Sequence, residues 1–153
     1  MNPFKKILVP YDFSDPSKYA LHSAADVARR YEAPITLMHV CDSQLFSVPE
    51  SYLLYDASRL PQFLASLEKQ LETVKHELMA VDVMQVQTQV VQGSPYAEIV
   101  RHAADGLYDL IVMGTHGRTG LAHALMGSVA ERVVRTAPCA VLTVRRPTTP
   151  TAR

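Results

Sequence analysis

Residues 110–128 read Leu-Ile-Val-Met-Gly-Thr-His-Gly-Arg-Thr-Gly-Leu-Ala-His-Ala-Leu-Met-Gly-Ser, an apolar run that passes into a glycine-punctuated loop and ends where a helical pattern begins. Glycine admits positive φ and lets a ligand approach the backbone, which is the role expected of Gly114 and Gly117. Gly127-Ser128 opens the following helix, whose free N–H groups and dipole favour an anion. The chemistry that Gly114-x2-Gly117-x9-Gly127-Ser128 could do is therefore phosphate binding. Glycines also serve plain turns and helix caps, so the loop alone is a weak signal. Its setting strengthens it: Asp109 to Met113 suits a parallel strand buried on both faces, and Ser128 to Arg135 carries apolar residues at helical spacing. The loop is neither Gly-x4-Gly-Lys-Ser/Thr nor Gly-x-Gly-x-x-Gly, so both common nucleotide fingerprints are absent.

Other chemistries have less support. His116 and His123 share the loop, but no Cys or carboxylate stands at ligand spacing, and no protein-held metal is expected. His116 reads as a phosphate neighbour or a solvated loop residue, and Arg118 either pairs its planar fork with phosphate or extends into solvent. Asp12 could cap the helix that follows it, yet Ser14 and Asp15 are better placed for that task, which leaves Asp12 for a ligand. There is no Gly-x-Ser-x-Gly elbow and spacing singles out no Cys/His pair, so a nucleophilic hydrolase is not expected.

These residues need elements to position them. Lys6 to Val9 is a short apolar strand, and Ser14-Asp15-Pro16 supplies cap and first-turn chemistry for a helix that turns Ala20, Ala24, Val27, Ala28 and Tyr31 inward. Pro34 precedes a second strand, Ile35 to Val40. Residues 42–59 lack a clear period, and Tyr52 and Tyr55 in them serve either a lid or plain surface packing. Leu60, Phe63, Leu64, Leu67, Leu71, Val74 and Leu78 stand at helical spacing. Met84, Val86, Thr88 and Val90 alternate with Gln85, Gln87 and Gln89, as in an edge strand with one wetted face. Gly93-Ser94-Pro95 then starts a third helix through Ile99 and Val100. The glycine-loop strand, a fourth helix to about Thr136 and a last strand, Ala140 to Val144, follow.

Composition narrows the function classes. The length of 153 residues suits one domain, expected over 1–146, with 147–153 as a flexible tail. Fifteen basic residues balance fifteen acidic ones, so nothing attracts nucleic acid or an anionic membrane. No apolar stretch approaches the roughly 20 residues of a membrane span, and a cytoplasmic protein is expected. Cys41 and Cys139 fall at opposite rims of a parallel sheet, about 16 Å apart for a five-residue strand, too far for a disulfide.

Alternating strands and helices make an open, doubly wound, five-stranded parallel sheet, α/β and Rossmann-like, the economical fold. With strand order 3-2-1-4-5 the winding reverses between the first and fourth strands, where such sheets bind ligands. Pro10 to Ser14 would then face the glycine loop across that crevice.

Several motifs together resemble the universal stress protein family, in the branch that binds ATP. They are Ile7-Leu8-Val9-Pro10-Tyr11-Asp12-Phe13-Ser14, Leu37-Met38-His39-Val40, Gly93-Ser94-Pro95 with Glu98-Ile99, the complete glycine motif, and Ala137-Pro138-Cys139-Ala140-Val141-Leu142-Thr143-Val144. The resemblance implies that Asp12 meets a ribose with Pro10 and Tyr11 beside it, and that the Val40 backbone contacts the adenine edge. It puts Met113 and Gly114 against the nucleoside, and Gly117, Gly127, Ser128 and Val129 on the phosphates, with Mg²⁺ or Mn²⁺ carried on the phosphate oxygens. A small residue is usual where Tyr11 stands, so its ring is expected to alter the crevice. The last strand reads as an apolar edge without proline or lysine, and family members similarly pair there as homodimers. The expected function is an ATP-binding regulatory or stress-response module and not an enzyme. A slow ATPase or phosphotransferase and a nucleotide-free dimeric scaffold are the alternatives. Slow hydrolysis is expected because the loop has no P-loop lysine and no evident Gln or Glu beside its glycines.

Overall fold

The computed structural model of the chain describes residues 3–42, 57–117 and 126–145. In chain order these form β1 (Ile7–Pro10), α1 (Asp15–Tyr31), β2 (Ile35–Asp42), a 3-10 turn (Ala57–Arg59), α2 (Leu60–Met79), β3 (Val86–Gly93), α3 (Pro95–Asp105), β4 (Leu110–Gly114), α4 (Ser128–Thr136) and β5 (Ala140–Val144). All strand pairs are parallel, and the sheet order is β3-β2-β1-β4-β5, as the sequence implies.

The central strands are apolar on both faces because both faces are covered. Ile7, Val9, Leu110 and Val112 pack with Ala20, Ala24 and Ala28 of α1 and Leu71 and Leu78 of α2. Leu8, Met38 and Ile111 turn the other way, onto Ile99 and Ala103 of α3 and Ala130 and Val133 of α4. The winding therefore changes sides after β3, and β1 and β4 part at their carboxyl ends.

Local chemistry sets the element boundaries. Ser14 caps α1 by accepting the Ser17 N–H at 3.4 Å, and Glu32 ends that helix in the left-handed region at φ 53°. Alanines along α1 let the helix lie close to the sheet, so its first turn crowds β4. A Cβ added at Gly114 would stand 2.9 Å from the backbone of Pro16.

Some expectations shift. β1 runs one residue later than the apolar run, ending on Pro10, and β2 continues through Cys41 to Asp42. Met84 is 82% exposed and precedes β3, whose buried face begins at Val86. α1 also buries Leu21 and Ala25, while Val27 and Tyr31 sit at the margin of the core. Phe63 is 40% exposed rather than core. Cys41 and Cys139 are both free thiols. Tyr52 and Tyr55 and the tail 147–153 lie outside the described residues. Among the described residues no helix is long and apolar enough to cross a membrane.

Candidate functional site

A crevice of about 530 Å³ opens at the carboxyl rim where β1 and β4 part. Pro10, Tyr11, Asp12, Val40, Met113, Gly114, His116, Gly117, Gly127, Ser128 and Val129 all line it. Arg118, the remaining candidate, lies outside the described residues, as does His123.

One wall is an open strand edge. The β1–β2 ladder ends at Pro10 and Met38, whereas β2 pairs with β3 as far as Asp42 and Gly93. The Met38 carbonyl accepts the Tyr11 N–H at 2.8 Å, so the backbone of Met38 faces β1. Strand period two turns the N–H and carbonyl of Val40 to the same side, beyond the end of β1. No described residue takes them. The next Tyr11 atom that could have done so, its carbonyl, accepts instead from Nδ1 of buried His39 at 2.8 Å. Val40 thus presents one donor and one acceptor to the crevice, the pattern that an adenine edge complements.

A second wall is the loop after β1. Asp12 Oδ1 accepts the Ser14 N–H at 3.0 Å and also the Ser14 hydroxyl, so this carboxylate shapes the loop as well as facing the site. Phe13 is held at φ 65°, a conformation that non-glycine residues seldom adopt. Aromatic packing offsets the strain: the Phe13 ring meets Tyr11 edge-on at 5.1 Å and leans on His39 at 5.2 Å. The Tyr11 ring is 5% exposed and belongs to the core under α1 and α2, so it props the loop from beneath instead of crowding the crevice. Burial raises the Tyr11 pKa above 10.0, with the charges of Glu77 and Asp12 adding to the effect.

The third wall is the glycine segment. Thr115 donates its N–H to the Val144 carbonyl at 3.0 Å and accepts the Gly127 N–H at 2.6 Å, so the loop leaves and returns at one point. α4 starts there. Gly127 is its N-cap with no side-chain cap, and the first helical bond is from Glu131 to the Gly127 carbonyl at 2.9 Å. The N–H groups of Ser128, Val129 and Ala130 consequently have no intrahelical acceptor, and all three residues line the crevice.

Glycine is needed here for a different reason from the one expected. Gly114, Gly117 and Gly127 do not adopt positive φ; among described glycines only Gly93 does. Close approach is the constraint. Gly114 lies against Pro16, a Cβ on Gly127 would stand 3.2 Å from the Thr115 carbonyl oxygen, and one on Gly117 would stand 2.9 Å from Asp12 Oδ2. Asp12 and Gly117 thereby bring the two loops into contact across the crevice.

Sequence reading missed His39 and Thr115, both buried polar residues that fix the loops on either side. A polar residue inside or just after an otherwise apolar strand was their only signal. Among the described residues no group of three His, Cys, Asp or Glu could hold a metal ion.

With this geometry in view, the similarities to known proteins fall into one group. The profile of the universal stress protein family matches residues 3–145. The universal stress protein MJ0531 of Methanocaldococcus jannaschii is 38% identical over 148 residues, covering 95% of this chain and 85% of that protein. Among solved structures, that of the hypothetical protein MJ0577 superposes with a TM-score of 0.82 at 33% identity, covering 95% of this chain and 99% of the other. A universal stress protein in complex with cAMP shares the fold, with a TM-score of 0.67 at 23% identity over 92% of this chain and 96% of the other. The chain belongs to the universal stress protein family.

The buried phenol under the Asp12 loop makes a pH prediction. With the folded pKa of Tyr11 above its unfolded value, the folded state retains a proton that the unfolded chain loses above about pH 10. That contribution is complete below pH 10 and is lost as pH rises through the folded pKa. Urea unfolding from pH 9 to 11 should fall more steeply in wild type than in Tyr11→Phe, by at most about 1.4 kcal/mol per pH unit. Parallel curves would place the phenol in water.

Proposed function

We propose that this chain is an ATP-binding regulatory or stress-response module of the cytoplasm, acting as a homodimer and hydrolysing ATP slowly if at all. The observation that carries the reading is the convergence on one crevice of an open Val40 edge, the Asp12 carboxylate and the uncapped start of α4. These suit, in order, a base edge, sugar hydroxyls and phosphates. Pro10 and Tyr11 would flank the ribose, Met113 and Gly114 the nucleoside, and Gly117, Gly127, Ser128 and Val129 the phosphates, with His116 and Arg118 beside them. The universal stress protein solved in complex with cAMP shares the fold, and it supports the reading at that level alone. Mg²⁺ or Mn²⁺ would be held through the phosphates.

Calorimetric titration of wild type with ATP and Mg²⁺ should give saturable binding, and Gly117→Ala should weaken it at least about tenfold, because the new methyl displaces Asp12. Adding Asp12→Ala to Gly117→Ala should then cost less than Asp12→Ala costs alone, since the displaced carboxylate has already lost its place. A wild type that binds no nucleotide points to the scaffold alternative.

Turnover follows from what lies near the phosphates. Backbone N–H groups and a serine hydroxyl hold a ground state but do not orient an attacking water. Steady-state phosphate release should stay well below the ~10 s⁻¹ typical of enzymes. Several turnovers per second, abolished in Asp12→Asn with ATP affinity intact, would establish the phosphotransferase alternative.

Pairing would use β5, the sheet edge beyond β4. The Val144 carbonyl faces β4 through its bond to Thr115, so period two turns the backbone of Ala140 and Leu142 inward and that of Val141 and Thr143 outward. Leu142→Pro would therefore break the ladder inside the sheet, and the informative variant is Thr143→Pro, which removes an outward N–H. Sedimentation at micromolar concentration should show a wild-type dimer and a Thr143→Pro monomer with unchanged circular dichroism. A monomeric wild type rejects pairing through β5.

A further inference from the structure

Beside the crevice lies a second, smaller pocket of about 190 Å³, and the two share Asp42, Pro95, Ser128 and Val129. Its remaining lining is Ser94, Tyr96 and Arg132. Two helices start at this pocket. α3 has Ser94 as N-cap without a side-chain cap bond, and α4 opens at Ser128 in the same uncapped state.

Arg132 distinguishes this pocket from a mere gap between helices. It stands one turn after Ser128 on α4, and helical side chains lean toward the N-terminus, which carries its guanidinium back over the turn that Ser128 begins. The guanidinium carbon lies 4.7 Å from the centroid of the Tyr96 ring, so the side chain is held in place by an uncharged partner. Neighbouring arginines are neutralised, Arg135 by Glu131 at 2.8 Å and Arg101 by Glu98 at 2.6 Å. Arg132 forms no ion pair with a carboxylate among the described residues. A positioned fork with no carboxylate on it, one helical turn from the proposed phosphate site, is suited to bidentate contact with phosphoryl oxygens.

We propose that the Arg132 pocket seats the terminal phosphoryl groups of the bound nucleotide and makes the site prefer a nucleoside triphosphate over the monophosphate. This rests on the nucleotide reading above and adds to it the residue that reads phosphorylation state. A monophosphate is held by the N–H groups at the start of α4 and does not extend to Arg132. A triphosphate reaches past Ser128 into the side pocket. Asp42 also lines that pocket and opposes an anion there, so the preference is read with Mg²⁺ present to offset its charge.

The experiment is calorimetric titration of wild type, Arg132→Met and Tyr96→Leu with ATP and with AMP, in Mg²⁺, each variant first checked by thermal melting. Arg132→Met keeps most of the apolar stem over Tyr96 and removes the fork. It should weaken ATP binding about tenfold, as loss of a charged hydrogen bond does, and leave AMP affinity within about twofold. Tyr96→Leu should lower the ATP to AMP preference by a smaller factor, because the fork remains but is no longer held. If wild type binds ATP and Arg132→Met leaves the preference unchanged, or weakens both nucleotides alike, the proposal is overturned while the nucleotide reading stands. If wild type binds neither nucleotide, both fall together.

Discussion

The site depends on the peptide of Thr115. Its N–H is bound to the Val144 carbonyl at the end of β5 and its carbonyl to the Gly127 N–H at the start of α4. One residue thus fixes the end of a strand, the edge of its neighbour and the origin of the helix. The described ends of the glycine loop meet at that point, so whatever path the loop takes between them, α4 begins beside β4. Thr115 itself is buried, where two satisfied backbone groups count for more than they would in water.

A close-packed α/β fold pairs nearly all of its buried backbone groups, and those it leaves open are therefore informative. Among the described residues, the edge at Val40 and the start of α4 are open beside one crevice. Val40 is left so because β1 stops two residues short of it and the Tyr11 carbonyl is taken by His39. The first N–H groups of α4 are left so because the N-cap is glycine, which has no oxygen to offer. A serine or aspartate at the cap would carry an oxygen able to take one of those donors, but its Cβ would stand 3.2 Å from the Thr115 carbonyl oxygen, so the close approach keeps glycine there and the donors open. α1, on the other side of the crevice, is capped by Ser14, and on that side it is Asp12 that lines the crevice.

Much of this was legible in the sequence, and the misreadings share a cause. Unbroken apolar runs can be read as doubly covered strands because burial on both faces leaves no alternation, and the order of the sheet follows from crossover handedness. Glycine spacing marks the loop proposed to meet phosphate, yet a glycine is required either for its φ or for the missing Cβ, and the letter does not say which. At Gly114 the deciding atom belongs to Pro16, nearly 100 residues away in the chain, and at Gly117 it belongs to Asp12. Tyr11 looks like an intruder in the crevice because its backbone is there, but strand period sends its ring into the core. An apolar edge strand does not say which alternate residues turn outward, and the bond from Thr115 to Val144 shows that the N–H of Leu142 turns inward. Arg132 sits in a helix of ordinary amphipathic pattern and is singled out by the ring beneath it and by the absence of a carboxylate partner among the described residues.

As a nucleotide site, the proposed arrangement would favour occupancy over turnover. An enzyme gains rate from interactions that strengthen as charge develops in the transition state, in a site that also aligns the nucleophile. Here the groups proposed to meet phosphate are main-chain donors, a serine hydroxyl and an arginine braced on a ring, all of which act on the charge already present in the ground state. The residue best able to accept a proton, Asp12, is engaged by the N–H and hydroxyl of Ser14 on one oxygen and turned toward Gly117 with the other. Binding energy spent in this way lowers the free energy of the complex and leaves the barrier to hydrolysis where it was. The described ends of the glycine loop are held together at Thr115 and Gly127, and a nucleotide bridging Val40, Asp12 and α4 would add a link between walls that already approach at Asp12 and Gly117 and at Pro16 and Gly114. On the proposed reading a bound nucleotide would act through the segments it ties down, and β5, held to β4 through the Thr115 N–H, is the sheet edge bonded nearest to them.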